Sequence, residues 1–195
     1  MIDSKKIKYI YNKELNFLID ALKNSKNPYH TFTLSSINNN IPELRTIVLR
    51  NIEKEPFKIF FNSDYRSPKI KQLKIYDKCS VLFYDLNRKI QLRLQCKASI
   101  YYKDTLSRKI WDKTPLQSRK CYMAPYPPSQ KLENWIPNLP KKYLKKDPTR
   151  EDSELGYKNF SYIQLEVINS DILQLHHDGH IRFAVNKKTF SFISS

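Results

Sequence analysis

The densest gathering of groups able to do chemistry is Asn62-Ser63-Asp64-Tyr65-Arg66-Ser67-Pro68-Lys69. An apolar run ends there in small polar side chains, and Arg, Ser and Lys collect where a helix begins, since Pro68 suits a first helical turn. Helix N-termini offer unpaired N–H groups and partial positive charge. An Arg fork and a Lys point charge beside them suit a phosphate. The structural alternative is Ser67 as a plain cap with solvated cations around it. Arg45-Thr46-Ile47-Val48-Leu49-Arg50 carries the same theme. On a strand Arg45 points with Ile47 and Leu49, and Arg50 points the other way, although such an Arg is as readily an edge residue meeting water. Gln91 shares a polar strand face with Arg93, and gains meaning only if that face lines the same pocket.

Other constellations carry less. His176-His177-Asp178-Gly179-His180 resembles a metal tract, but adjacent residues of an extended chain point to opposite sides, and zinc wants about four convergent ligands. No metal is expected. Cys79, Cys96 and Cys121 are widely spaced with no CxxC pair, so neither a disulfide framework nor a structural zinc site is indicated, and a reducing cytoplasm is the natural setting. A Cys121–His nucleophile pair has no identifiable partners. Tyr101, Tyr102, Tyr122, Tyr126 and Trp135 near lysines could stack on bases, but such aromatics more often pack. With Gly156 and Gly179 as the only glycines, GxGxxG and GxxxxGK[ST] phosphate loops are excluded.

The 195 residues, 40% hydrophobic and 13% aromatic, can bury a real core as one domain. Thirty-five Lys and Arg against 19 Asp and Glu leave a formal net charge of +16. A nucleic-acid partner, an acidic small ligand, or a lysine-rich solvated surface would each account for it. The lysines are spread along the chain, which favours the last. No apolar run is long enough to span a membrane, and no leader-like apolar segment follows the basic N-terminus.

The elements that must position these groups read as follows. A helix is expected to about Ser25, with Ile7, Ile10, Leu15, Leu18, Ile19 and Leu22 near helical spacing. Strands follow at His30–Ser36, Glu43–Ile52 and Phe57–Ser63, with a turn at Asn38-Asn39-Asn40. A helix opening at Ser67-Pro68 leads to strands at Cys79–Tyr84 and Lys89–Tyr102. The second of these alternates Ile90, Leu92, Leu94, Cys96 and Ala98 with polar residues, the cleanest two-residue period in the chain. Short helices are expected at Asp104–Trp111 and Gln117–Met123. A Pro-rich surface insert spans about 124–157, with at most short helices near Leu132–Trp135 and Lys141–Leu144. Strands at Phe160–Ile168, Ile181–Asn186 and Thr189–Ile193 close the chain. Hairpin-joined strands with few helices predict a mainly β fold, an antiparallel barrel with peripheral helices.

In order and spacing, Arg45 to Arg50, Phe60-Phe61-Asn62-Ser63, Arg66-Ser67-Pro68-Lys69, Val81 to Tyr84 and Arg88 to Leu94 resemble the pyridoxamine 5'-phosphate oxidase-related, FMN-binding split-barrel family, in its shorter branch with an RSPK motif. The resemblance covers about Thr33–Met123 and resumes at Asp171–Phe183. It implies an antiparallel split barrel with FMN as cofactor. Arg45, Arg66, Ser67 and Lys69 would hold the FMN phosphate. Asn62 and Ser63 would lie at the flavin or ribityl chain, Arg50 near the pyrimidine edge, and Gln91 against the cofactor. It further implies a homodimer with FMN at the subunit interface, where Arg182 and His180 would reach the partner's flavin.

The substrate side departs from the family. The oxidase has an Arg-x-His-x-Arg motif near its C-terminus; here the stretch is Asp178-Gly179-His180-Ile181-Arg182, with Asp at the first position. Ile172 stands where a flavin-stacking Trp is expected. The Tyr and Arg that hold the substrate phosphate have no counterparts around Ile110, Trp111 and Thr114, although Ser118 is retained. Each lost charge-assisted bond is worth roughly 1.5–3 kcal/mol, so turnover of pyridoxamine phosphate is not expected. The reading is a cytoplasmic flavin-dependent oxidoreductase on an unidentified small substrate. The alternatives are a basic module for nucleic acid or an acidic partner, and a split barrel that has lost catalysis.

Overall fold

The computed structural model describes residues 3–194. By packing, the chain divides into two compact units. One comprises Met1–Phe61, Tyr76–Ser99 and Gln164–Ser195, the other Asn62–Ile75 and Ile100–Ile163.

The first unit opens with α1 (Ser4–Ala21), capped by Asp3, whose carboxylate accepts from Lys6 N at 2.9 Å. Its buried face is Ile7, Ile10, Leu15, Leu18 and Ala21. Glu14 on that face is 2% exposed. It accepts from the Tyr29 hydroxyl at 2.7 Å and from Arg88 Nη1 at 2.7 and 2.8 Å. Arg88 Nε also donates to Asp85 at 2.5 Å. Burial, then the Glu14 charge, pushes the Tyr29 hydroxyl well above its ordinary value.

The hairpin of β1 (Thr31–Asn38) and β2 (Ile41–Val48) turns on Asn39 and Asn40, with φ of 48° and 65°. Asn tolerates that left-handed region because its short polar side chain can bond locally. The single strand expected over Glu43–Ile52 is two. Leu49 N still bonds His30 O, but Arg50 N bonds Phe60 O, and β3 (Asn51–Lys54) then pairs with β4 (Phe57–Asp64). The chain changes neighbour at Leu49–Arg50, which residue types cannot show.

Next come β5 (Lys78–Asp85) and β6 (Ile90–Tyr101), antiparallel from Lys78↔Lys97 to Asp85↔Ile90. The expected alternation holds, with Ile90, Leu92, Leu94, Cys96 and Ala98 buried. β7 (Phe160–Gln174) runs past the expected Ile168 because its far half pairs with β8 (Ile181–Asn186), from Asn169↔Asn186 to Gln174↔Ile181. β8 turns through Lys187 into β9 (Thr189–Phe192). The strand order is β2-β1-β5-β6-β7-β4-β3, with β8 on β7 and β9 on β8. The core of the first unit gathers Phe32 between Phe83 and Phe61, at ring separations of 5.2 and 6.0 Å. Leu34, Ile59, Leu92, Ile172 and Phe183 are buried with them.

The second unit holds α2 (Pro68–Ile75), α3 (Thr105–Lys113), α4 (Leu116–Arg119) and α5 (Arg150–Ser153). The α3 start is a capping box of Asp104 with Ser107. Single 3-10 segments follow at Lys120–Met123, Lys141–Tyr143 and Glu154–Asn159. Residues 132–135 are not helical as expected; Trp135 is 87% exposed, so a helix there would bury nothing. Nor is the insert only a surface excursion, for its end folds back onto Trp111 and Arg119. Arg119 is 1% exposed. It donates to Trp111 O at 2.8 Å, Glu154 Oε1 at 2.9 Å, and Ser153 Oγ and Thr114 O at 3.1 Å. Gly156 makes the closure possible, since a Cβ there would meet Trp111 at 3.1 Å and Met123 at 3.2 Å.

Candidate functional site

The site begins where β4 ends. Asp64 turns the chain: its carboxylate accepts from Arg66 N at 2.8 Å and its carbonyl from Ser67 N at 3.0 Å, delivering Ser67 to the head of α2. The strand end is held within its own unit by Ser161 Oγ donating to Ser63 O at 2.8 Å and Tyr65 N donating to Asn159 O at 2.7 Å.

Three of the expected residues, Ser63, Ser67 and Lys69, converge here. The Ser63 and Ser67 hydroxyls, 4% and 0% exposed, lie 3.1 Å apart. Lys69 Nζ donates to each at 3.2 Å. Asn62 Oδ1 is buried without a hydrogen-bond partner. A buried acceptor in that state costs about 1–3 kcal/mol, so a missing donor would find a prepared position. The cluster offers an anion one ammonium and two hydroxyls; Asn62, beside Ser63 along the strand, separately offers an N–H or O–H group one amide oxygen.

Arg66 behaves differently. Its guanidinium is paired with Asp64 (Nη2 to Oδ2 2.7 Å, Nε to Oδ1 3.0 Å) and donates to Ala124 O at 2.9 Å. It braces the segment after the 3-10 turn. Tyr65 stacks on Tyr102 at 3.4 Å and 5°, with Lys74 Nζ 4.1 Å from the Tyr65 centroid. Ser118 lies on α4 in the same unit.

Arg45, Arg50, Gln91, His180 and Arg182 belong to the first unit. Arg45 bonds Ser36 and pairs with Glu43 at 3.1 Å; burial draws its guanidinium below the ordinary value against the pull of Glu43. Among the described residues, the Arg50 side chain makes no ion pair or hydrogen bond. Gln91 faces outward on β6, opposite Tyr84. Arg182 is paired with Asp171 at 2.9 Å, which raises its pKa, and Asp171 also takes Arg93 at 2.5 Å. His180 Nδ1 accepts from His176 N at 3.3 Å. No group of metal-ligating side chains forms among the described residues.

Residue types alone did not single out Asp64, Glu43 and Asp171, the carboxylates that occupy three of the expected arginines. For Asp64 the signal was present, since Asp two residues before Arg at a strand end favours a side-chain turn.

Residues 11–102 match the family model of the pyridoxamine 5'-phosphate oxidase, FMN-binding domain. Over these residues the chain resembles that FMN-binding family. Its fold is that of a pyridoxamine 5'-phosphate oxidase-related, FMN-binding protein from Nostoc punctiforme PCC 73102, at TM-score 0.72 and 17% identity over 95% of this chain and 97% of that one. PhzG from Burkholderia lata 383, solved with tetrahydrophenazine-1-carboxylic acid, matches at TM-score 0.69 and 13% identity over 95% and 92% of the two chains. Among curated proteins, none matches this sequence. The split-barrel expectation is thus met, and the cofactor of the family is FMN. The Asn62–Lys69 cluster fits such a group: Lys69 with two buried hydroxyls suits its phosphate, and the orphaned Asn62 oxygen suits a donor on its ribityl or ring. Among the described residues, no helix is long and apolar enough to cross a membrane.

Proposed function

We propose that this protein is an FMN-dependent oxidoreductase acting on a small organic substrate, and that Lys69, Ser67 and Ser63 bind the FMN phosphate. The observation that carries the reading is the convergence of Lys69 Nζ on the two buried hydroxyls, 3.2 Å from each. A phosphate monoester brings about −1.5 to −2 charges at neutral pH, and charge-assisted bonds to it are the strong ones. Asn62 orients the remainder of the cofactor through Oδ1. Arg66 positions the site: by locking Asp64 and the carbonyl of Ala124 it keeps the β4–α2 turn in one shape. Bound FMN supplies hydride and electron transfer itself, so no side-chain acid or base is required of the protein.

The protein acts as a cytoplasmic homodimer in this reading. Its support is one outward face of the first unit's sheet, where Leu44, Leu82 and Tyr84 stand among Thr33, Ser35 and Gln91 by the β1–β2, β1–β5 and β5–β6 registers. Leu44 is 66% exposed and Tyr84 42%, an apolar strip that a second copy could cover. Substrate is expected to differ from pyridoxamine phosphate, given Asp178 and Ile172 in place of an Arg and a Trp.

The purified protein is expected to be yellow, with one FMN per chain released on denaturation, and to elute at twice the chain mass. Anaerobic screening of small reductants then identifies substrates by bleaching of the flavin band. A colourless protein that takes up no added FMN, and whose affinity for RNA falls steeply with salt, would overturn the assignment.

A further inference from the structure

A cavity of about 680 Å³ lies wholly within the first unit, between α1, the β3–β4 turn, β7 and the β8–β9 turn. Small-molecule sites typically run from about 300 to 1,000 Å³, so the space is adequate. It draws on none of the residues assigned to FMN.

Its walls are of two kinds. Tyr11 forms the aromatic wall, standing edge-on to Phe190 at 5.6 Å and 83° and to Phe57 at 6.5 Å and 82°. That leaves ring faces and edges for a flat apolar body. Ser170, 2% exposed, lines the same cavity beside Tyr11. The mouth is charged: Lys8, Lys54, Lys187 and Lys188 face Glu55 and Glu166, an excess of two positive charges. The Lys54 ammonium is taken up by Asn16 Oδ1 at 2.7 Å. Lys8, Lys187 and Lys188, by contrast, make no ion pair or hydrogen bond among the described residues.

We propose that this cavity binds an amphipathic organic anion, an aromatic or short acyl body with one anionic head, the body against Tyr11, Phe57 and Phe190 and the head among Lys8, Lys187 and Lys188. The geometry sets the charge preference. Lys187 and Lys188 form the β8–β9 turn, with Lys187 at φ 54°, so the backbone rather than a flexible loop carries both ammonium groups to the mouth. A cationic ligand would meet those groups at entry. A dianion would have to approach Glu55 and Glu166.

The test uses FMN-loaded protein, with anilinonaphthalene sulfonate as the anionic probe and phenylnaphthylamine as its neutral counterpart. The sulfonate is expected to bind saturably, with fluorescence enhancement, and more tightly than the neutral compound. Lys187→Asn with Lys188→Ser should weaken the sulfonate by roughly tenfold and leave the neutral probe unchanged. Phe190→Ala should weaken both. Equal affinity for the two probes, or a double variant that binds the sulfonate as the parent does, overturns the proposal. Should the turn variant fail to fold, salt titration of the parent decides: sulfonate binding must fall with ionic strength while the neutral compound's does not. Retention of the flavin band in each folded variant keeps this result separate from the FMN assignment.

Discussion

Lys69→Ala isolates the phosphate assignment. The ammonium sits 3.2 Å from both Ser63 Oγ and Ser67 Oγ, within one helical turn of the start of α2. Truncation removes one charge and leaves two buried hydroxyls that still satisfy one another at 3.1 Å, so the fold should persist. A hydrogen bond to a charged group is worth about 1.5–3 kcal/mol, which corresponds to a rise in the FMN dissociation constant of roughly 10- to 150-fold. Fluorescence titration of apoprotein with FMN measures it, and riboflavin, which lacks the phosphate, provides the control. The expected pattern is a large loss for FMN with riboflavin unchanged. Equal losses for both would mean that Lys69 only supports the turn, and a loss below threefold would remove it from the site. Arg66→Ala is a poorer probe of the same idea, because its guanidinium also braces Ala124 O at 2.9 Å. That variant should loosen the segment as well as weaken FMN.

Asn62→Leu removes a buried acceptor that lacks a partner. The FMN-free variant should melt no lower than the parent while FMN affinity falls about fivefold; thermal melts with and without cofactor decide. Burial raises the Cys79 thiol to about 12 and pushes Cys96 well up, while Cys121 is exposed. Thiolate-selective alkylation of native protein should therefore label Cys121 alone and all three thiols after denaturation, as counted by mass spectrometry. Hydrogen bonds from Tyr143, Lys142 and Thr149 hold Asp152 down at about 2. A depressed carboxylate stabilises the fold in full above its unfolded value, near 3.9, and loses that contribution as pH falls through the folded one. The gap in unfolding midpoint between parent and Asp152→Asn should be present at neutral pH and close between about pH 4 and pH 2. A gap independent of pH would refute the charge contribution.

What the sequence revealed of the fold followed the strength of local signals. The β6 alternation from Ile90 to Ala98 was readable because a half-buried strand stamps its period on the residues, and the β1–β2 turn because three consecutive Asn tolerate left-handed angles. The break at Leu49–Arg50 was not, since β2 and β3 form one apolar run and only the exchange of partner from His30 to Phe60 divides them. The β7 extension failed for the same reason, its far half being defined by β8. The buried Arg119 network was invisible because its carbonyl acceptors carry no residue identity. At the site, Asn62, Ser63, Ser67 and Lys69 were readable as a group because they lie within eight residues of one turn.

The cations show why a motif and an available charge differ. The family resemblance presents Arg45, Arg66 and Lys69 as donors for the phosphate, with Arg50 and Arg182 elsewhere along the flavin. In the structure Arg45 is paired with Glu43, Arg66 with Asp64 and Arg182 with Asp171. An arginine already matched to a carboxylate offers an incoming phosphate only the difference between two ion pairs, and freeing it strands the first partner. The loss is greatest for Asp64, 8% exposed, because an uncompensated charge is costly in proportion to its burial. Lys69 donates to two hydroxyls, which can rotate to accept from it or to donate alongside it. The net charge of +16 therefore overstates the attraction available for binding an anion. The energy of FMN recognition should concentrate in one lysine and its two serines, while the paired arginines hold the elements that present them.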